Sequence, residues 1–467
     1  MRKTVSSVCS GAVLGLLMLL VDLGLLCGTV GNLAHPSYLA ALLAAAAAGF
    51  ALLRLQKRPS RFERWGVRRT GLALTALCFG LNLACVLRWR VDIYGDSVAF
   101  WDTARALAAG REPENAVYLA LFPHLLGYSS FLSLFLRVFG EHPLVAPLLN
   151  VGLTTVSGLL LYRLGLRWLT PRQAGWVCLL WAVFPSRLLY NTLVLSEALY
   201  TCLLLGVFTL LAGLEDTDVK RTRLVGFSLA AGLLLWGANI SRPLGAIVLI
   251  ALPLWSLLLR GTGRQTARWL AALALLLCVY VPLGKIWDAH VEALVGEKPA
   301  PIPGYNIYVG FNQRTGGTYA EEDMGLLGDY RWEEGGSAAD AQWKMLEAAK
   351  ARVFSGELDF PRLFADKLRH FIGSDEGAAY TVFFLGNARY RLWAALCNTG
   401  FYLAALLANV GAWRLLKRRE TGGVLLLCLF GLGLILAQML VEVSSRYHYS
   451  LVPVLLMLAG NGINNVK

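Results

Sequence analysis

The chain is a succession of apolar runs, many close to the ~20 residues a helix needs to cross a bilayer, separated by short basic clusters. No other feature narrows its possible folds so far. In hydrocarbon every backbone polar group has to be satisfied within the protein, which leaves helices and closed barrels. Runs this long and unbroken read as helices. Of the 467 residues, 57% are hydrophobic and 16% charged. Soluble domains carry about a quarter charged residues, so a water-facing surface cannot be built from this composition. The expected spans are 8–29, 38–55, 71–87, 143–166, 174–190, 195–214, 224–240, 244–259, 269–286, 392–416, 424–441 and 451–460, about twelve in all. The fold class expected is an all-α, polytopic integral membrane protein with outer-face interfacial helices and one long outer loop.

The basic clusters orient these spans. Lys57, Arg58, Arg61, Arg64, Arg68 and Arg69 separate the second span from the third. Arg163, Arg167 and Arg172 separate the fourth from the fifth, and Lys220, Arg221 and Arg223 precede the seventh. Arg260, Arg264 and Arg268 precede the ninth, and Lys417, Arg418 and Arg419 the eleventh. All of these fall on one side, which the positive-inside rule makes cytoplasmic. Both termini are expected there too, in the cytoplasmic (plasma) membrane. The run after Arg2 and Lys3 continues to about Leu26, longer than a signal-peptide core and without a small-residue cleavage site, so it reads as a retained first helix. The net charge of +13 is accounted for by these clusters and by lipid headgroups, and no stripe for nucleic acid is formed. Nine cysteines lie in or beside apolar runs with no zinc or redox spacing, as small hydrophobes would.

Four regions follow: two N-terminal helices and a basic loop (1–69), a transmembrane core (70–287) with an outer loop at 88–142, a long extracytoplasmic segment (288–390), and the C-terminal helices (391–467). Within the first outer loop, 118–140 is apolar but broken by Pro123, His124 and Gly127. Counting it as a span would put every later basic cluster outside, so it is expected as interfacial helices. The second segment, 288–390, is too long for a simple connector. Its part 338–369 reads as helical, with Trp343, Leu346, Val353 and Phe354 spaced for one face, and 299–334 as an ordered loop.

Polar residues at the outer boundary are the candidates for chemistry. Asp96, in Tyr94-Gly95-Asp96-Ser97, is a carboxylate at the lipid–water boundary whose basicity desolvation can raise; solvating the loop together with Asp92 and Asp102 is the plainer role. Glu197 heads an apolar helix, where an acid is either functional or a complement to the helix dipole. Arg242 and Arg446 face outward against the positive-inside bias, and a guanidinium suits phosphate as well as a headgroup. His448 lies beside Arg446. The stretch Asn306 to Tyr319, with Asn312, mixes amide, hydroxyl, glycine and aromatic groups in a way that suits sugar or peptide. His124, His142, His290 and His370 are scattered without ligand spacing, so no metal site is assigned.

In their order these residues resemble the GT-C membrane glycosyltransferases, specifically the dolichyl-phosphate-mannose protein mannosyltransferase family and its bacterial relatives. The matching features are Gly95-Asp96-Ser97-Val98-Ala99-Phe100, the aromatic-rich segment ending at Phe139-Gly140, and the next span with Asn150. Then come Phe184-Pro185, Ser196-Glu197-Ala198, Ser241-Arg242-Pro243, the loop with Gly310-Phe311-Asn312, Gly316-Gly317 and Glu322-Asp323, and finally Arg446-Tyr447, Pro453 and Ala459-Gly460. The likeness starts near Asp92. The first two spans are additional to the family's usual start, and Ser97 stands where the family has a second acid.

The resemblance implies a polyprenyl-phosphate monosaccharide donor (mannose or another hexose) used at the outer face, with inversion at the anomeric carbon. Its general base maps to Asp96. The acceptor is a hydroxyl on protein, lipid or glycan. No nucleotide or other cofactor is required, and a divalent metal is left unassigned. Arg242 and Arg446 are our own candidates for the donor phosphate, with Glu197, Asn312 and His448 as site support or acceptor contacts. A twelve-helix secondary transporter is the main alternative, although carriers gather polar residues at the midplane, where Asp22 is the clearest charge here. A lipid-linked polysaccharide polymerase or ligase is the other.

Overall fold

The computed structural model describes residues 2–32, 35–55, 61–216, 218–258, 263–333, 336–418 and 422–463, which are helices and turns without a strand. Helices α1 (Arg2–Gly31), α2 (Pro36–Leu55) and α3 (Arg61–Arg88) come first. The short helices α4 (Asp96–Ala108), α5 (Ala116–Leu121) and α6 (His124–Phe139) follow, then α7 (Val145–Trp168), α8 (Pro171–Ala182) and α9 (Pro185–Tyr190). Next are α10 (Glu197–Ala212), α11 (Arg221–Ser241), α12 (Gly245–Leu258) and α13 (Gly263–Val295). The long segment holds α14 (Gly304–Gly310), α15 (Glu321–Gly328), a π turn (Asp329–Glu333), α16 (Ala338–Phe354), α17 (Phe360–Ile372) and α18 (Gly377–Phe383). Helix α19 (Ala388–Arg418), α20 (Val424–Leu440), a 3-10 turn (Ser445–Leu451) and α21 (Val452–Gly462) close the chain.

The fold is an all-α membrane protein, but the twelve expected spans are not equivalent. Seven helices among the described residues are long and apolar enough to cross a membrane: α1, α2, α3, α7, α11, α13 and α19. Of the other five expected spans, 174–190 is divided by Pro185 into α8 and α9, and the rest are the shorter α10, α12, α20 and α21. The 16 residues of α10 cover about 24 Å, short of the ~30 Å hydrocarbon core. Helices α10, α20 and α21 are buried at most of their positions. A helix that is apolar all round can be shielded by protein as well as by lipid, so hydropathy counts both kinds alike.

One member from each of three of the basic clusters meets at Asp216. Arg167 reaches Asp216 at 2.5 Å, Arg223 reaches it at 3.3 Å, and Arg268 donates to the Asp216 carbonyl. Trp168 Nε1 donates to Glu215 at 2.8 Å. Along α7, Arg167 lies about 25 Å from Asn150, which points to the opposite end. Lys57, Arg58, Leu259, Arg260, Glu334 and Arg419, and the side chains of Arg61, Arg64 and Arg264, lie outside the described residues.

Helix α1 lies against α17, and a Cβ on Gly28 would come 2.4 Å from the Gly373 carbonyl oxygen. One further expectation is changed, the buried face of α16. Helix α16 buries Ala338, Ala341, Gln342, Met345 and Ala349, whereas Trp343 is 47% and Phe354 84% exposed. The small face wins because α14 comes so near that a Cβ on Gly304 would meet the Gln342 carbonyl at 1.8 Å. Asp22 pairs with Asn409 of α19 at 2.7 Å.

Candidate functional site

Asp96 begins α4 immediately after Gly95, whose φ of 58° is a conformation a side chain resists. Its carboxylate therefore stands at the positive end of α4. It ion-pairs with Arg446, and its side chain is 56% exposed. The desolvated acids are instead Glu197, with a side chain 4% exposed, and Glu442.

Glu197 is held by an irregular buried segment, 191–196, whose polar groups are met from neighbouring helices. Asn150 donates to the Leu193 carbonyl at 2.8 Å, Thr154 donates to Asn191 Oδ1 at 2.8 Å, and Asn191 donates to Asn82. Non-helical backbone at membrane depth survives only when so satisfied. Arg242 follows the last residue of α11, where Pro243 ends the helix, and its Nη1 donates to Glu197 Oε1 at 2.9 Å. Arg446 Nε lies 3.9 Å from the same oxygen. One buried carboxylate thus sits between two guanidiniums, and the second of these also holds Asp96. Tyr447 closes the group, its ring 4.8 Å from the Arg242 guanidinium and 5.3 Å from that of Arg446.

The long segment is fixed to this group through residues 441–443. Glu442 N–H donates to the Asn306 carbonyl at 2.7 Å, and Val443 N–H to the Gly317 carbonyl at 2.9 Å. The buried Lys367 donates to the carbonyls of Gly310 and Val441, both at 2.7 Å. Burial lowers its ammonium to about 7. Burial also raises the Glu442 carboxyl, against the opposing pull of Arg446. Burial and the nearby Arg242 and Arg446 push the His124 imidazole down to about 4, so it is neutral at neutral pH. Burial opposes the charge on Arg446, but Tyr447, Asp96 and Glu197 together outweigh it.

Asp96, Glu197, Arg242, Arg446, His124 and Glu442 all border one cavity of about 870 Å³. Its walls also carry Tyr118, Tyr305, Asn306 and Tyr319 on one part and Asn32, Tyr38, Arg369, Glu376, Tyr380 and Tyr390 on another. Four of the residues singled out in the sequence, Asp96, Glu197, Arg242 and Arg446, lie together at this cavity.

Two others are placed elsewhere. Asn312 is buried in its own loop, donating to Asp323 at 2.8 Å, and borders a separate groove of about 700 Å³. His448 is 1% exposed and lies behind the cavity wall: Nδ1 donates to the Phe371 carbonyl at 2.5 Å, and Nε2 faces Asp375 at 3.0 Å. Its ring stacks on Phe401 at 4.6 Å. Both residues are polar in sequence and turn inward because a neighbouring acid, not the cavity, completes their hydrogen bonding.

Sequence reading also missed residues. Glu376 and Tyr38, joined at 2.5 Å, are 338 positions apart. Arg187 is fully buried, its guanidinium 3.7 Å from the Tyr449 ring centroid and without a hydrogen-bond partner among the described residues. An arginine inside an expected span was the available signal. No group of three or more His, Cys, Asp or Glu side chains suited to a metal is found among the described residues.

No family model matches the chain, and no curated protein matches it. Among solved structures it is similar to the archaeal oligosaccharyltransferase AglB from Archaeoglobus fulgidus, in complex with an inhibitory peptide and a dolichol-phosphate. That alignment has 13% identity and a TM-score of 0.48, covering 86% of this chain and 50% of that one. It is also similar to ArnT from Cupriavidus metallidurans bound to undecaprenyl phosphate, with 14% identity and a TM-score of 0.41, covering 81% of this chain and 77% of that one. The chain spans about half the length of the oligosaccharyltransferase it matches. The likeness is one of overall helix arrangement, and no residue role is taken from it.

Proposed function

We propose that the protein transfers a monosaccharide from a polyprenyl-phosphate donor to an acceptor hydroxyl, at the extracytoplasmic face of the membrane, with inversion. The observation that carries this reading is the Asp96–Arg446 pair in the cavity wall, linked through Glu197 to Arg242. A carboxylate for a proton and guanidiniums for a phosphate stand side by side. The acceptor hydroxyl gives its proton to Asp96 as its oxygen attacks the anomeric carbon from the face opposite the phosphate. The bond from that carbon to the phosphate oxygen breaks, and the electron pair leaves on the lipid phosphate. Arg446 and Arg242 hold the added charge with charge-assisted hydrogen bonds. A phosphate drawing Arg446 toward itself also releases the Asp96 carboxylate for its role as base.

Glu197 keeps the two guanidiniums apart and aimed at the cavity. The basic end formed by Arg167, Arg223 and Arg268 is the cytoplasmic side in this reading, and the cavity lies at the other. Transfer from radiolabelled polyprenyl-phosphate monosaccharides in membranes tests it, comparing the native protein with Asp96→Asn. A positioned base contributes about 10²- to 10⁴-fold, and a loss in that range is expected. Folding is expected to be largely spared, because the Asp96 carboxylate is more than half exposed and Arg446 keeps Glu197 as a partner. Undiminished transfer by Asp96→Asn overturns the assignment.

A further inference from the structure

The cavity extends beyond the Asp96–Arg446 pair to a wall that the proposed reaction does not use. That wall is built in part by the N-terminal helices: Asn32 lies after α1 and Tyr38 is in the first turn of α2. Opposite them stand Glu376 and Gly377 at the start of α18, and Tyr190 at the end of α9. Tyr38 donates to Glu376 Oε1 at 2.5 Å, and Asn398 donates to Oε2 at 3.5 Å. Tyr390 is a third hydrogen-bond partner of Glu376, so of the carboxylate's about four lone-pair positions about one is open. Asn32 spends its NH₂ group on the Gly28 carbonyl at 2.8 Å, and its amide oxygen accepts no hydrogen bond among the described residues.

Tyr190 is the telling group. It is 5% exposed, borders the cavity, and its hydroxyl has no hydrogen-bond partner among the described residues. A buried hydroxyl left unmet is costly. The space beside it is kept open by Gly377: a Cβ there would lie 3.3 Å from Tyr190 Oη and 2.5 Å from Ser445 Oγ. The rings of Tyr380 and Tyr390, edge to face with centroids 6.5 Å apart, border the same part of the cavity.

We propose that this wall is a binding subsite for an uncharged sugar ring. Directional oxygen and amide groups beside aromatic rings match a ring with hydroxyls at its rim and C–H groups on its faces. Arg369 and Glu376 border the same space with opposite charges. Glu376 disfavours a phosphate there and Arg369 disfavours an amine, so a neutral ligand fits best. The sugar is the acceptor's or the donor's, an assignment that rests on the transferase reading; the subsite itself does not.

Saturation-transfer NMR tests this on the full chain in nanodiscs, with methyl α-mannopyranoside, methyl α-glucopyranoside and methyl β-galactopyranoside as probes. At least one is expected to bind saturably to the native protein. Tyr190→Phe removes only an unpartnered hydroxyl, so the fold is kept, and binding is expected to weaken about three- to tenfold. Glu376→Gln is expected to weaken it about tenfold or more, and Gly377→Ala to block it. No binding by any probe, or binding unchanged in both Tyr190→Phe and Glu376→Gln, overturns the subsite. Glycoside binding without any sugar transfer leaves the subsite standing and removes the transferase reading. Where transfer is present, a raised KM for the acceptor in Tyr190→Phe assigns the ring to the acceptor, and a raised KM for the donor assigns it to the donor.

Discussion

Arg242→Met separates two roles that the structure gives to one guanidinium. At an effective dielectric of about 20, a contact of 2.9 Å corresponds to about 6 kcal/mol of gross attraction between Arg242 and Glu197. Arg446, at 3.9 Å from the same oxygen, contributes about 4 kcal/mol on the same scale. Removing one partner of a buried pair costs about 3–5 kcal/mol when nothing replaces it. Because Arg446 stays, the expected net loss is smaller, about 2 kcal/mol. Unfolding in detergent reads this directly. Adding Glu197→Gln to Arg242→Met removes the stranded charge and is expected to restore stability to within about 1 kcal/mol of native.

Donor affinity should not return with it. A charge-assisted hydrogen bond to phosphate contributes about 1.5–3 kcal/mol, so binding of polyprenyl monophosphate should stay about ten- to a hundredfold weaker in the double variant. If stability and phosphate binding recover together, Arg242 serves only Glu197 and its phosphate role fails. If Arg242→Met costs no stability, the buried pair is not what holds this turn.

Lys367 links folding to pH. Its folded value of about 7 lies below its unfolded value near 10.5, so the unfolded chain binds more protons between the two. Stability is therefore expected to fall as pH drops from about 10.5 to about 7 and then to level off; Lys367→Met should lose that slope in unfolding free energies measured from pH 6 to 10. The variant should also be about 1–3 kcal/mol less stable at pH 8, because the carbonyls of Gly310 and Val441 lose their donor. An unchanged slope would contradict burial as its cause. His448→Leu removes the ring facing the fully buried Asp375 and is expected to cost about 3 kcal/mol of stability. The KM for donor and acceptor should be unchanged, and a raised KM without a stability loss would return His448 to the binding site.

Much of the candidate site was readable because each of its residues broke a local rule. Arg242 and Arg446 lie apart from the basic clusters that set the charge bias, Glu197 heads an apolar helix, and Asp96 follows a glycine past a span's end. Asn312 and His448 broke similar rules and yet face other protein groups. The local signal marks a polar group that needs a partner; it does not say whether that partner is a ligand, Asp323 or Asp375.

The sequence by itself determined that the chain lives in a bilayer and is helical, since apolar run length and backbone hydrogen bonding leave little else. It also determined which loops are basic. Only the tertiary structure decided which apolar helices form the interior: α10 and α20 read as spans, but shorter than the hydrocarbon, they are enclosed by protein. Only the tertiary structure brought α1 and α2 into the cavity, through a Gly28–Gly373 approach and a Tyr38–Glu376 bond spanning 338 positions. Hydropathy and charge bias act over one helix or one loop. The meeting of distant polar groups depends on how close small residues let the helices come, which no window along the chain records.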